Sequence, residues 1–247
     1  MNISLAHGVL IAFEGIDGAG KTTQARRLQE RLLRGGCDVL ATKEPTDGRW
    51  GALIRASATN GRLPADEELA AFMADRREHV SEVIRPALEA HKVVIIDRYY
   101  FSTAAYQGAR GMDFERLLAE NEEFAPQPHL LFLLDVDPIV GLSRVRKRGD
   151  EANLFEREAE LASSAAIFRR IERPYLHKLD AGLPIAELER LVFDAVSNGP
   201  LFAELCSKSD YKSECEPAYC TPRMTDHCQH ITMCCAASVG DGKGSQG

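Results

Sequence analysis

Short unbroken apolar runs alternate along the chain with stretches in which apolar positions recur every three or four residues. The runs at residues 8–13, 39–42, 93–96 and 130–134 contain no charged side chain, the pattern of strands buried on both faces of a parallel sheet. Between the first two, residues 20–34 set Leu28, Leu32 and Leu33 at helical spacing ahead of a Gly35-Gly36 stop. Residues 66–90 do the same with Leu69, Phe72, Met73, Val80, Val83, Ile84 and Leu88, and Pro86 is expected to kink that helix. Leu183-Pro184-Ile185 is read as the last strand. Strand-helix alternation implies right-handed crossovers and a three-layer α/β fold, with helices on both faces of a parallel sheet and ligands beyond the strands' carboxyl ends.

The periodicity fades after about Val196. From Asn198 onward the chain is rich in Ser, Cys, Pro and Gly, and six of its seven cysteines fall between Cys206 and Cys235. Residues 1–197 are therefore read as one folded domain and 198–247 as a flexible tail with little apolar surface to offset ordering entropy. The tail has no C-x-x-C knuckle, so its thiols, with His227 and His230, are read as reduced and flexible rather than as a zinc site. Lys plus Arg number 30 against 37 Asp plus Glu, a net charge of −7, which argues against general electrostatic binding to nucleic acid or an anionic membrane. No apolar run approaches the ~18 residues of a membrane span. No Lys or Arg precedes the first apolar run, and Glu14 interrupts it, unlike a secretory signal; a cytoplasmic location is expected.

The first run leads into Gly15-Ile16-Asp17-Gly18-Ala19-Gly20-Lys21-Thr22-Thr23, a full match to G-x-x-x-x-G-K-[ST] followed by a helical pattern. In such a loop, backbone N–H groups and a helix N-terminus face an oligophosphate, the lysine reaches its β- and γ-phosphates, and the threonine hydroxyl ligates Mg²⁺. Residues 15–23 are thus the candidate ATP-binding set, with Lys21 its cation and Thr22 a metal ligand. The third run ends Ile96-Asp97-Arg98, which sets Asp97 at the carboxyl edge of the sheet, where an acid serves the magnesium shell.

Taken with Lys43-Glu44-Pro45, Phe72-Met73-Ala74-Asp75-Arg76 and His79, Asp97-Arg98-Tyr99 and Ser102, Ala105-Tyr106-Gln107-Gly108, and Leu134-Asp135-Val136-Asp137-Pro138, these motifs resemble those of thymidylate kinases. The resemblance covers about residues 8–175. It implies a P-loop kinase fold, transfer of the γ-phosphoryl of Mg·ATP to dTMP, and a homodimer. It also implies roles. Phe72 stacks on thymine, Arg76 donates to a base carbonyl that cytosine lacks, and Tyr106 leaves no room for a 2′-hydroxyl. Thr103 and Gln107 complete the base and sugar contacts, Asp17 faces the 3′-hydroxyl, Arg98 holds the acceptor phosphate, and Glu44 belongs to the same acceptor set.

Two departures matter. The family often reads Arg-Glu-Pro-Gly-Gly-Thr where this chain has Lys43-Glu44-Pro45-Thr46-Asp47-Gly48, so the lost bidentate fork must come from Arg49 or Arg55. The phosphate loop has Gly18-Ala19 where some members place an arginine. A lid over about residues 144–157 then supplies the transferring cation from Arg144, Arg146, Arg148 or Arg157, with Arg148 assigned. Lys21, Asp97, Arg98 and Arg148 form the expected catalytic set. Two rival readings stand: a related kinase for dUMP or another deoxynucleotide, and a non-catalytic nucleotide switch whose tail recruits a partner or metal.

Overall fold

The computed structural model of the protein describes residues 5–147, 154–199 and 201, except for the side chains of residues 59, 60 and 154–157. These residues fall within a unit running from Met1 to Glu204; the rest of the chain forms a second unit outside the described residues. Five strands, β1 (Val9–Glu14), β2 (Val39–Lys43), β3 (Val93–Asp97), β4 (Leu130–Asp135) and β5 (Leu176–Asp180), pair in the order β2-β3-β1-β4-β5. All four pairings are parallel.

Three of the four apolar runs are the inner strands, whose faces are both covered; the run at residues 39–42 is β2, an edge strand, so the burial on both faces expected of it is not found. Every residue of β1 is buried, whereas the edge strands β2 and β5 are half-buried. Leu10, Ala12, Val94, Ile96, Leu131 and Leu133 share one cluster with Ile84, Phe101 and Phe168. Side chains alternate across a strand, so the intervening residues Ile11, Phe13 and Ile95 serve the other face, where α1 (Lys21–Arg34) lies on β1, β2 and β3 and packs against α9 (Ile185–Ser197).

The expected strand at 183–185 is not formed. Pro184 is the N-cap of α9, with φ −56°, and Ile185 opens that helix. Proline lacks an N–H and is preset for a helix start. The true fifth strand, LHKLD, lies on an edge and is only half-buried; its two leucines are separated by His177 and Lys178, so it carries no continuous apolar signal. The second long helical stretch divides into α3 (Ala65–His79), a π-helical turn at Val80–Ile84, and α4 (Arg85–Glu89), which has Pro86 in its first turn. In the wide turn just before Pro86 the Arg85 N–H donates five residues back, to Val80 O, and this altered pairing accommodates a residue that has no N–H, so the helix continues past it. An unforeseen α2 (Arg49–Asn60) precedes α3 and packs against it. The remaining helices are α5 (Tyr100–Ala109), α6 (Phe114–Glu122), α7 (Pro138–Arg146) and α8 (Leu154–Arg170).

Candidate active site

The loop between β1 and α1 is shaped by its glycines. Gly15 has φ 136° and Gly18 φ 79°; a Cβ on Gly18 would lie 2.1 Å from the carbonyl oxygen of Gly141 on α7. Any side chain there would push α7 off the loop. Gly20, at φ 96°, is the N-cap of α1, and no side chain caps that helix, so its first N–H groups remain for an anion. Lys21 folds back over the loop, its Nζ donating to Gly15 O at 3.0 Å and Ile16 O at 2.9 Å. Burial, aided by the nearby Arg98 charge, pushes its ammonium down to about 8. The Thr22 hydroxyl donates to Asp97 Oδ2 at 2.5 Å. Asp97 Oδ1 is buried with no hydrogen-bond partner among the described residues. A hydroxyl and a carboxylate in contact, with one carboxylate oxygen unspent, form a hard oxygen donor pair suited to Mg²⁺.

Arg98 follows β3 with φ 67°, and its backbone N–H donates to Phe13 O at 3.0 Å. Its guanidinium donates to Asp17 Oδ1 and, at 3.1 Å, to Ser102 Oγ. The carbon at its centre stands 5.4 Å from the centroid of the Tyr106 ring. Burial alone would lower the Arg98 pKa, but Tyr106, Asp17, Glu14 and Asp97 raise it above its ordinary value. Burial pushes the Tyr106 hydroxyl up to about 12, with the Arg98 charge opposing.

On α3, Phe72 and Arg76 are one turn apart and line the same cavity of about 250 Å³, together with Thr103, Tyr106 and Gln107. Arg76 is almost wholly buried and held from three sides. Its Nε and Nη2 donate to Glu44 Oε2 at 2.8 and 2.6 Å, Nη2 also reaches Thr103 Oγ1 at 3.0 Å, and Nη1 donates to Asn121 Oδ1 at 2.7 Å. Of five guanidinium N–H groups, four are thereby directed and one on Nη1 is left over. Glu44 Oε1 lies 3.0 Å from His79 Nδ1, whose Nε2 is 2.8 Å from Thr42 Oγ1. Glu44 thus holds Arg76 in place. Gln107 Nε2 donates to Glu68 Oε2 at 2.8 Å, which fixes its amide orientation.

A larger cavity, about 590 Å³, is lined by Lys21, Thr22, Asp97 and Arg55 and shares Asp17, Glu44, Pro45 and Arg98 with the smaller one. Of the two candidate arginines, only Arg55 is among the residues that line this cavity, and it is also ion-paired with Asp47. Arg49 is turned to Glu78, to which its Nε donates at 3.1 Å, while Arg55 lines the cavity and donates to Pro45 O at 3.2 Å. The loop bearing Pro45 is clamped by Asp75, which accepts from Thr46 N at 2.8 Å and Thr46 Oγ1 at 2.6 Å. Sequence reasoning missed that clamp, whose signal was a buried acid on α3 opposite the departure from the family's loop.

Of the four arginines expected to serve a lid, Arg144 donates to backbone, to Gly18 O at 3.3 Å and Ala181 O at 3.0 Å. Arg146 is exposed at the end of α7. Arg148 and the side chain of Arg157 lie outside the described residues, as does the cysteine-rich tail. Glu14, beside the site, was given no role by the sequence. It is the one acid in an otherwise apolar strand, and that was its signal. It accepts from Tyr99 N at 2.7 Å, Ser102 N at 3.0 Å and Ser102 Oγ at 2.5 Å. Burial pushes its carboxyl up to about 7, against the opposing effects of the Ser102 hydrogen bond and the Arg98 charge.

Residues 13–192 match the family model described as thymidylate kinase. Relatives bearing that name include one from Xanthomonas campestris pv. campestris (strain B100), 51% identical over 174 residues, which are 70% of this chain and 76% of the relative. Another, from Akkermansia muciniphila, is 46% identical over 190 residues, 77% of this chain and 92% of the relative. A parallel sheet with a glycine phosphate loop and an aromatic-arginine cavity beside it agrees with both matches: the chain belongs to the thymidylate kinase family.

Proposed function

We propose that this chain transfers the γ-phosphoryl group of Mg·ATP to dTMP, giving dTDP and ADP. The observation that carries this reading is the common wall of the two cavities. Asp17, Glu44, Pro45 and Arg98 line both, so an acceptor in the smaller one brings its phosphate to Arg98, beside the oligophosphate cradle.

The chain's own groups then act by position and charge. The phosphate loop and the uncapped start of α1 receive the donor's phosphates, and Lys21 swings from the loop carbonyls to neutralise them. Thr22 and Asp97 would hold Mg²⁺, which when bound draws negative charge from the phosphate oxygens. Arg98 and Arg55 orient the acceptor phosphate, which is already a nucleophile and requires no strong general base. Phe72 covers one face of the base, and the remaining Nη1 donor of Arg76 meets its exocyclic carbonyl. Tyr106 fills the space beside the sugar. Arg148 is carried forward as the transferring cation, since Arg144 is engaged with backbone.

Neither rival reading is favoured. A switch requires no acceptor cavity, and this cavity draws residues from α3, α5 and the segments that follow β2 and β3, besides the phosphate loop. The homodimer and the cytoplasmic location belong to the same proposal; no helix among the described residues is long and apolar enough to cross a membrane. The test is product analysis by anion-exchange chromatography of ATP, Mg²⁺ and dTMP incubated with the full chain. Equal amounts of ADP and dTDP, both abolished by chelator, are expected. ADP without dTDP would overturn the assignment of the acceptor.

A further inference from the structure

Glu14 is wholly buried at the end of β1, directly before the phosphate loop, yet phosphoryl transfer assigns it no task. Its carboxylate crosses to the start of α5, where it accepts two backbone N–H groups and the Ser102 hydroxyl proton. Tyr99, the N-cap of α5, offers no side-chain cap of its own. A cap alone could have come from Ser, Asp or Asn at that position. A carboxylate from another strand does something a local cap cannot, because it ties the helix start to β1 and fixes which way the Ser102 proton points.

That direction matters for Arg98. A guanidinium only donates, and a serine hydroxyl has one proton and two lone pairs. With its proton given to Glu14, Ser102 Oγ presents lone pairs to Arg98 Nη1, which donates to it at 3.1 Å. Asp17 takes the other guanidinium nitrogen. Between these two acceptors the guanidinium is set at the wall common to both cavities. Neither orientation of a glutamine at position 14 would reproduce this arrangement. If its oxygen faced the N–H groups of Tyr99 and Ser102, its amide would donate to Ser102 Oγ and compete with Arg98. If flipped, donor would face donor.

We propose that Glu14 is a positioning residue for acceptor binding, holding Arg98 through Ser102 in the orientation that receives the acceptor's phosphate. This rests on the reading of the chain as a nucleoside monophosphate kinase.

The experiment compares the full chain with Glu14→Gln, Ser102→Ala and the double variant at pH 8, where the carboxylate form prevails. Turnover, KM for dTMP, KM for ATP and unfolding temperature are measured for each. The acceptor KM should rise about tenfold or more in each single variant, as expected when a hydrogen bond to a charged group is lost. ATP KM should stay within about twofold, and the double variant should be little worse than either single, since both break one relay. A purely structural role would lower the unfolding temperature and leave both KM values in place, and that result overturns the proposal. If Glu14→Gln does not fold, Ser102→Ala decides alone, because it keeps both backbone contacts to Glu14. An unchanged acceptor KM there is equally fatal. Failure of the underlying reading shows differently, in an unmodified chain that leaves dTMP untouched. If that chain phosphorylates another monophosphate, the same comparison applies to that acceptor; if it phosphorylates none, both claims fall.

Discussion

Replacing Glu44 by glutamine should damage stability and acceptor recognition together. The Arg76 and Glu44 side chains are 1% and 3% exposed, and Glu44 also lies 3.0 Å from His79 Nδ1. Glutamine keeps the shape but removes the charge, and turns one acceptor oxygen into a donor that must face either the guanidinium or the imidazole. Removing one partner of a buried pair leaves an uncompensated charge and costs about 3–5 kcal/mol. At ~2–4 °C per kcal/mol for a chain of this size, the unfolding midpoint should fall by about 6–20 °C. The two of the four bonds aiming Arg76 that go to Glu44 would be lost or, with the amide turned to the imidazole, weakened to a neutral acceptor, so the acceptor KM should rise while ATP KM changes little. Chemical denaturation and steady-state kinetics on one preparation measure both. A loss under about 1 kcal/mol, the range of a solvent-exposed pair, would refute the reasoning, because it would mean that water reaches the pair.

Lys21→Ala and Asp97→Asn should each abolish measurable turnover while the proteins stay folded by circular dichroism; an Asp97→Asn enzyme with undiminished kcat would remove that acid from the metal shell. Tyr106→Ala should raise kcat/KM for the ribonucleotide relative to dTMP, whereas Tyr106→Phe should leave the ratio nearly unchanged, since exclusion by a ring is steric. Glu14 makes a pH-dependent contribution to stability. Its folded pKa of about 7 lies above the ordinary 4.5, so between these values the folded chain holds a proton that the unfolded chain releases. Its contribution is therefore present below pH 4.5 and is lost as pH rises through 7. Unfolding free energies from pH 5 to 7.5 should fall more steeply for the unmodified chain than for Glu14→Gln, and equal slopes would contradict the assignment. Deleting the residues beyond Glu204 should leave kinase activity intact, but the cut must spare Leu201, which is completely buried; loss of folding in that truncation would show the tail to be part of the domain.

The inner strands and the phosphate loop were legible because their signals are local. An unbroken apolar run reports burial on both faces, and a glycine pattern between a strand and a helix reports a turn that receives phosphate. β5 was not legible, because its two leucines are split by His177 and Lys178 and LHKLD shows neither an apolar run nor a strict alternation. Among the site residues, Phe72 and Arg76 could be paired from their spacing on one helix. The partners of Arg76 could not be foreseen, since Glu44, Thr103 and Asn121 come from three other parts of the chain and meet only when the sheet closes. The same holds for Glu14, whose partners lie 85 and 88 residues away. Which of Arg49 and Arg55 lines the cavity could not be foreseen, since Glu78 on α3 draws Arg49 aside while Asp47 and Pro45 hold Arg55 at the cavity wall.

The central claim is that the smaller cavity selects thymidylate, and it rests on the proposed role of Arg76 as the donor to the carbonyl that thymine carries where cytosine has an amino group. The most direct measurement is kcat/KM for dTMP, dUMP and dCMP with Mg·ATP held at saturation. A donor facing an amino group leaves both unpaired, so dTMP should exceed dCMP by about a hundredfold or more; dUMP, which keeps the carbonyl, should fall between them. Equal values for dTMP and dCMP would contradict the account.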